Sequence, residues 1–91
     1  MKKLTENEIE SSLKKLKGWE YLDGVITKKY TFKTHGQCFG FISQIALLAE
    51  KMNHHPNWSG VYNQVTIKLT THDIKGISKL DMEFAKEIES Y

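Results

Sequence analysis

Cysteine and proline are nearly absent from this chain: Cys38 and Pro56 stand alone among 91 residues. One thiol excludes an intrachain disulfide, and inside an apolar segment it reads as a small buried hydrophobe rather than a nucleophile. Long apolar runs are missing as well, and nothing approaches the ~20 residues that a membrane-spanning helix needs. The start, Met1 to Glu8, carries the lysines of a secretory leader without the apolar region that follows them in one. A cytoplasmic protein with no membrane contact is the expectation. Charge of one sign is also scarce. Thirteen Lys and Arg stand against eleven Asp and Glu, interleaved along the chain, so the clustered basic stripe of a nucleic-acid surface is lacking. The densest basic stretch, Lys14, Lys15 and Lys17, falls near a predicted helix C-terminus, where it complements the helix dipole. With no repeat, linker or low-complexity tract, residues 1–91 read as one domain.

What is present is well punctuated. Thr5 and Glu8 form a capping box, with Leu4 and Ile9 placed as a hydrophobic staple. Ile9, Leu13 and Leu16 then recur at helical spacing, and Gly18 can take the left-handed conformation that ends a helix. Asp23-Gly24 between β-prone runs predicts a type I′ hairpin joining Trp19–Leu22 to Val25–Phe32. In the second of these strands Ile26, Tyr30 and Phe32 share a face that Lys28 interrupts. From His35 to about Asn53 two apolar rows, Phe41-Ile45-Leu48-Met52 and Phe39-Ile42-Ala46-Ala49, predict a central helix with a band wide enough to cover a sheet. Leu47 lies outside that band. Pro56 disfavours helix at the residue before it. A second hairpin is expected from Trp58–Tyr62 and Val65–Thr71, turning across Asn63-Gln64. Ser78 and Asp81 cap a last helix carrying Phe84, Ala85 and Ile88. The order α-β-β-α-β-β-α implies an α+β fold, a four-stranded antiparallel sheet with helices on one face.

Three of the four histidines fall at element ends. His54 and His55 leave the central helix and His72 leaves the last strand, places that can open on one rim. Imidazole is the side chain whose ordinary pKa lies nearest neutrality, and a helix C-terminus favours a cation, which suits a general acid. Two plainer readings compete. His-His-Pro by itself describes a solvated turn, and histidine is also a common zinc ligand. Against a metal, neither H-x-H nor H-x-x-x-H spacing occurs, and neither cysteine nor a carboxylate cluster lies nearby.

The longer string is more specific. Glu50-Lys51-Met52-Asn53-His54-His55-Pro56-Asn57-Trp58, then Val61-Tyr62-Asn63, Val65 through Thr71-His72-Asp73, Gly76-Ile77-Ser78 and Asp81 resemble the signature of the pterin-4a-carbinolamine dehydratases. Gly18-Trp19 and Phe39-Gly40-Phe41 extend the resemblance over most of the chain. It implies dehydration of a 4a-hydroxytetrahydropterin to the quinonoid dihydropterin, with no metal or organic cofactor, in a homodimer or homotetramer. By position it implies that His54, His55 and His72 line the pterin pocket. Asn53, Thr70, Thr71 and Asp73 would contact the substrate, with Glu50, Pro56, Trp58 and Asp81 beside them. Asn53 stands where some relatives carry Asp, and Asp73 where some carry Glu.

The chemistry matches these residue types. Losing water from a carbinolamine needs an acid at the departing hydroxyl and a base at the ring nitrogen that gives up its proton, a division two histidines can make. His54 and His72 are assigned as that pair, with His55 orienting substrate. Capping alone would explain Asp81, Glu50 reads equally as a solvated helix residue, and Trp58 fits either a core or a ring-stacking position. A second class of function also stands: members of this family serve as dimerisation partners of a transcription factor, so a docking surface with a vestigial pocket is the alternative to an enzyme.

Overall fold

The capping box at Thr5 closes as expected. The Glu8 N–H donates to Thr5 Oγ1 at 3.2 Å and the Thr5 N–H to Glu8 Oε1 at 2.9 Å, opening helix α1 (Glu6–Leu13). The computed structural model describes residues 1–91. α1 stops a turn earlier than its apolar spacing suggests. Beyond Leu13 the chain tightens into i−3 bonds, Lys15 to Ser12 and Leu16 to Leu13, which still bury Leu16. Gly18 at φ +88° then turns the chain into the sheet.

Strands β1 (Glu20–Leu22) and β2 (Val25–Thr31) pair across Asp23-Gly24. Both turn residues have positive φ, 52° and 80°, as a type I′ turn requires. After α2 (His35–Met52) come β3 (Asn57–Val61), β4 (Gln64–Leu69), a 3₁₀ turn (His72–Ile74) and α3 (Lys79–Ile88). The sheet runs β1-β2-β4-β3, antiparallel throughout. The second hairpin turns one residue before the expected Asn63-Gln64. Val61 pairs with Gln64, leaving Tyr62-Asn63 as the turn, with Tyr62 at φ 54°. Sequence gives no warning of this, because a bulky residue in the left-handed region is uncommon. Neighbours hold it there. His35 Nδ1–H donates to the Tyr62 carbonyl at 2.7 Å, the two rings stack, and Asn63 bonds Phe32 through its backbone carbonyl and its amide.

Register explains the layers. Ile26 faces Leu69, Lys28 faces Ile67 and Tyr30 faces Val65, so these side chains share the face under the helices. There the apolar ones join Ile9, Phe41, Ile45, Leu48, Phe84 and Ile88 in one core, with Tyr30 packed against it. Lys28, which breaks the apolar pattern, is absorbed by α3. Its Nζ donates to both oxygens of Glu89 (2.9 and 3.0 Å), Tyr30 Oη donates to the same carboxylate, and so does Trp19 Nε1 at 3.3 Å. Helix α2 covers the sheet less broadly than its two rows suggest. Phe41, Ile45, Leu48 and Ala49 are buried, whereas Phe39 and Ala46 are exposed. Phe39 and Ala46 lie instead across open cavities that they share with Trp58 of β3.

Candidate functional site

Asn53 ends α2 in the left-handed region, φ 50° and ψ 46°, which asparagine tolerates better than most residues. Its N–H donates to the Glu50 carbonyl at 3.3 Å and that of His54 to Ala49 at 3.1 Å, the paired bonds of a Schellman ending. The chain therefore folds back, and the His54 ring turns inward, edge-on to Phe84 at 6.0 Å. The neighbouring imidazoles part company. His55 stays exposed, with Nε2 3.5 Å from Glu50 Oε1.

His54 Nε2 lies 2.5 Å from Asp81 Oδ1. Asp81 is wholly buried, and a buried carboxylate is stable only when its lone pairs are engaged. Here they are. Oδ2 accepts from the Thr71 hydroxyl at 2.8 Å and the Ser78 N–H at 2.9 Å. Ser78 Oγ lies 2.7 Å from Thr71 Oγ1 and accepts from the Leu80 N–H at 3.2 Å. Since the Thr71 proton goes to Asp81, Ser78 is the donor between the two hydroxyls. One carboxylate thus caps α3 through Oδ2 and ties down the end of α2 through Oδ1. The capping explanation for Asp81 is correct and incomplete.

His72 and Asp73 follow Thr71 directly in the 3₁₀ turn, and both are exposed. The turn is closed by Lys75 at φ 52° and by the Thr71–Gly76 bridge; the strand expected to reach Thr71 ends at Leu69. The Thr70 hydroxyl points at two backbone carbonyls, of Gly24 and Gly76, each at 3.2 Å. Hydrogen bonds therefore join His54, Asp81, Thr71 and Ser78, and the chain sets His72 and Asp73 beside them. Glu50, His55, Pro56 and Trp58 gather elsewhere, around a cavity of about 170 Å³ between α2 and β3 floored by Ala49 and Ile67. Trp58 is 52% exposed on its wall, so it is no core residue. No group of three or more His, Cys, Asp or Glu side chains converges in a way that would hold a metal ion.

Thr71 and Asp81, expected at the substrate, hold their polar atoms inside the protein and are joined to His54 by hydrogen bonds. Ser78, which the sequence marks only as a cap, is buried within this network. Its S-x-x-D spacing is plain, but its burial comes with the Thr71 hydroxyl meeting it from seven residues away, which no local pattern encodes.

Comparison with known proteins agrees over nearly the whole length. The family model described as pterin 4 alpha carbinolamine dehydratase matches residues 2–91. A Prochlorococcus marinus protein, provisionally named a pterin-4-alpha-carbinolamine dehydratase, is 46% identical over 93% of this chain and 88% of its own. The crystal structure of a Brucella melitensis protein described as a transcriptional coactivator/pterin dehydratase superposes with a TM-score of 0.94 at 40% identity, covering 98% of this chain and 97% of that one. A pterin dehydratase-like protein identified as a RuBisCO assembly factor shares the fold at TM-score 0.66 and 20% identity, over 79% of this chain and 83% of its own.

Proposed function

The chain belongs to the pterin 4 alpha carbinolamine dehydratase family, and on that premise we propose that residues 1–91 form one domain that eliminates water from a 4a-hydroxytetrahydropterin. The C4a–O bond breaks as an imidazolium protonates the departing hydroxyl, and a second imidazole takes the proton from the adjacent ring nitrogen, leaving the quinonoid dihydropterin. His54 and His72 share these roles. His55, one residue from His54 and backed by Glu50, orients the substrate from the side of the α2–β3 cavity that Pro56 and Trp58 line, and Asn53, Thr70 and Asp73 border it. The reaction needs no metal or organic cofactor and serves recycling of a tetrahydrobiopterin-type cofactor in the cytoplasm. The observation that carries this reading is the buried carboxylate bonded to His54. Burying an ionised group to orient one largely buried ring is costly for a core and is the usual support of an acid–base histidine. In a stopped-flow assay on chemically generated 4a-carbinolamine, the protein should accelerate dehydration, and dialysis against a strong chelator should leave the rate unchanged. Activity abolished by chelation and restored by Zn²⁺ would replace this mechanism with a metal-based one.

Exposed apolar side chains favour self-association and keep a second reading in play. Phe39, Leu47, Val61 and Tyr62 are 59%, 73%, 72% and 65% exposed, along α2 and the free edge β3. We assign them to a homodimer or homotetramer contact. They would equally serve a docking module with a vestigial pocket, a reading supported by the coactivator description of the Brucella protein. The dehydration assay separates the two, since a docking module leaves the uncatalysed rate untouched.

A further inference from the structure

The proton count around Asp81 decides which nitrogen of His54 can react. As a carboxylate, Asp81 has only lone pairs to offer: Oδ2 accepts from the Thr71 hydroxyl and the Ser78 N–H, donors that favour this ionised form, and Oδ1 accepts in turn, so the proton between it and His54 resides on Nε2. No buried side-chain nitrogen or oxygen in the chain lacks a hydrogen-bond partner. His54 Nδ1 has no partner, and the ring is 11% exposed, so Nδ1 is the atom that reaches the surface.

Resting on the dehydratase reading, we propose that Asp81, held by Thr71 and Ser78, is a positioning residue that locks His54 in the Nε2–H form and makes Nδ1 its reacting nitrogen. The neutral ring then presents a lone pair to substrate at Nδ1 and the protonated ring presents an N–H there. In neither state does Nε2 leave the carboxylate. This inverts the serine-protease arrangement, where the carboxylate holds Nδ1 and Nε2 does the chemistry.

The same geometry predicts what Asp81→Asn does. Thr71 and the Ser78 N–H are both donors, so they hold the amide oxygen in the place of Oδ2. The NH₂ group then faces His54 Nε2, and two donors cannot share that bond. The neutral imidazole must move its proton to Nδ1, which leaves no lone pair at the surface. Turnover should fall ~10⁴-fold, the effect of the corresponding Asp→Asn change in a serine protease, with KM little changed because Asp81 touches no substrate. The direct test is imidazole ¹⁵N–¹H correlation spectroscopy at a pH where His54 is neutral. The wild-type ring should show a protonated Nε2 and an unprotonated Nδ1, and D81N the reverse. A wild-type ring protonated at Nδ1 would overturn the proposal, as would a D81N ring of unchanged tautomer in folded protein. Should D81N not fold, the wild-type spectrum alone decides. Correct tautomers with no dehydration in either protein would leave the positioning role standing and remove the dehydratase reading instead.

Discussion

Individual side chains divide here by where their polar atoms are engaged. His54→Ala and His72→Ala should each lower turnover by ~10²–10⁴-fold, the range for a positioned general acid or base. The double variant should cost far less than the product of the two, since residues acting as one unit are non-additive. Both variants should stay folded, though not equally: His72 is exposed, whereas removing His54 strips Asp81 Oδ1 of its donor, a loss of ~1–3 kcal/mol. Circular dichroism melts beside the assay measure both effects. Unaltered rates in folded His54→Ala and His72→Ala would end the catalytic assignment. His35 shows the limit of reading one residue at a time. Nothing around it in sequence marks a partner, and its partner is the backbone carbonyl of Tyr62, 27 residues away.

At the scale of elements, the two ends of the helices matter most. Asn53 sets the direction in which His54 leaves α2, because its left-handed backbone is what folds the chain back. Asn53→Gly should be near neutral in stability, whereas Asn53→Val should cost ~1–2 kcal/mol of backbone strain and lower turnover through misplacement of His54; thermal melts and kcat for the pair report this. At the far end of α3, burial pushes the Glu89 carboxyl upward, but the hydrogen bonds from Tyr30 and Lys28 and the Lys28 charge outweigh it and hold it below its ordinary 4.5. A carboxylate depressed on folding contributes stability above its unfolded value and loses it as pH falls through the folded one. Glu89→Gln should therefore lower Tm at neutral pH by ~4–8 °C, for about 1 kcal/mol after allowance for solvent screening. The gap between the two proteins should close on acidification below 4.5. The element order, the capping boxes, the Asp-Gly turn and the alternation of Val65, Ile67 and Leu69 were legible in the sequence, because each is written in neighbouring residues. The early end of α1, the Tyr62-Asn63 turn and the narrow cover of α2 were not, because tertiary contacts decide them.

For the molecule as a whole, β3 is the exposed quantity. All five of its residues are solvent-accessible, it is an unpaired edge, and such edges are normally blunted or covered. Sedimentation at micromolar concentration should show a homodimer or homotetramer, and a monomer there would remove that assignment. Of the candidate site, the histidines and Asp81 could be picked out from spacing and resemblance. Which of them meet was not legible, since His54 and His55 are adjacent in sequence and diverge in space, while Thr71, Ser78 and Asp81 converge only through the fold. The double duty of Asp81 has a further consequence for how such chains are told apart. An aspartate that starts a helix would be kept even in a copy that had abandoned chemistry, because losing it weakens the helix start by about 0.5–2 kcal/mol. Its presence therefore says little about whether a given copy is active. The residue opposite its second oxygen is the informative one, for nothing in the helix start requires His54, and a copy that carries the aspartate with another side chain there is the one to suspect of having changed its trade.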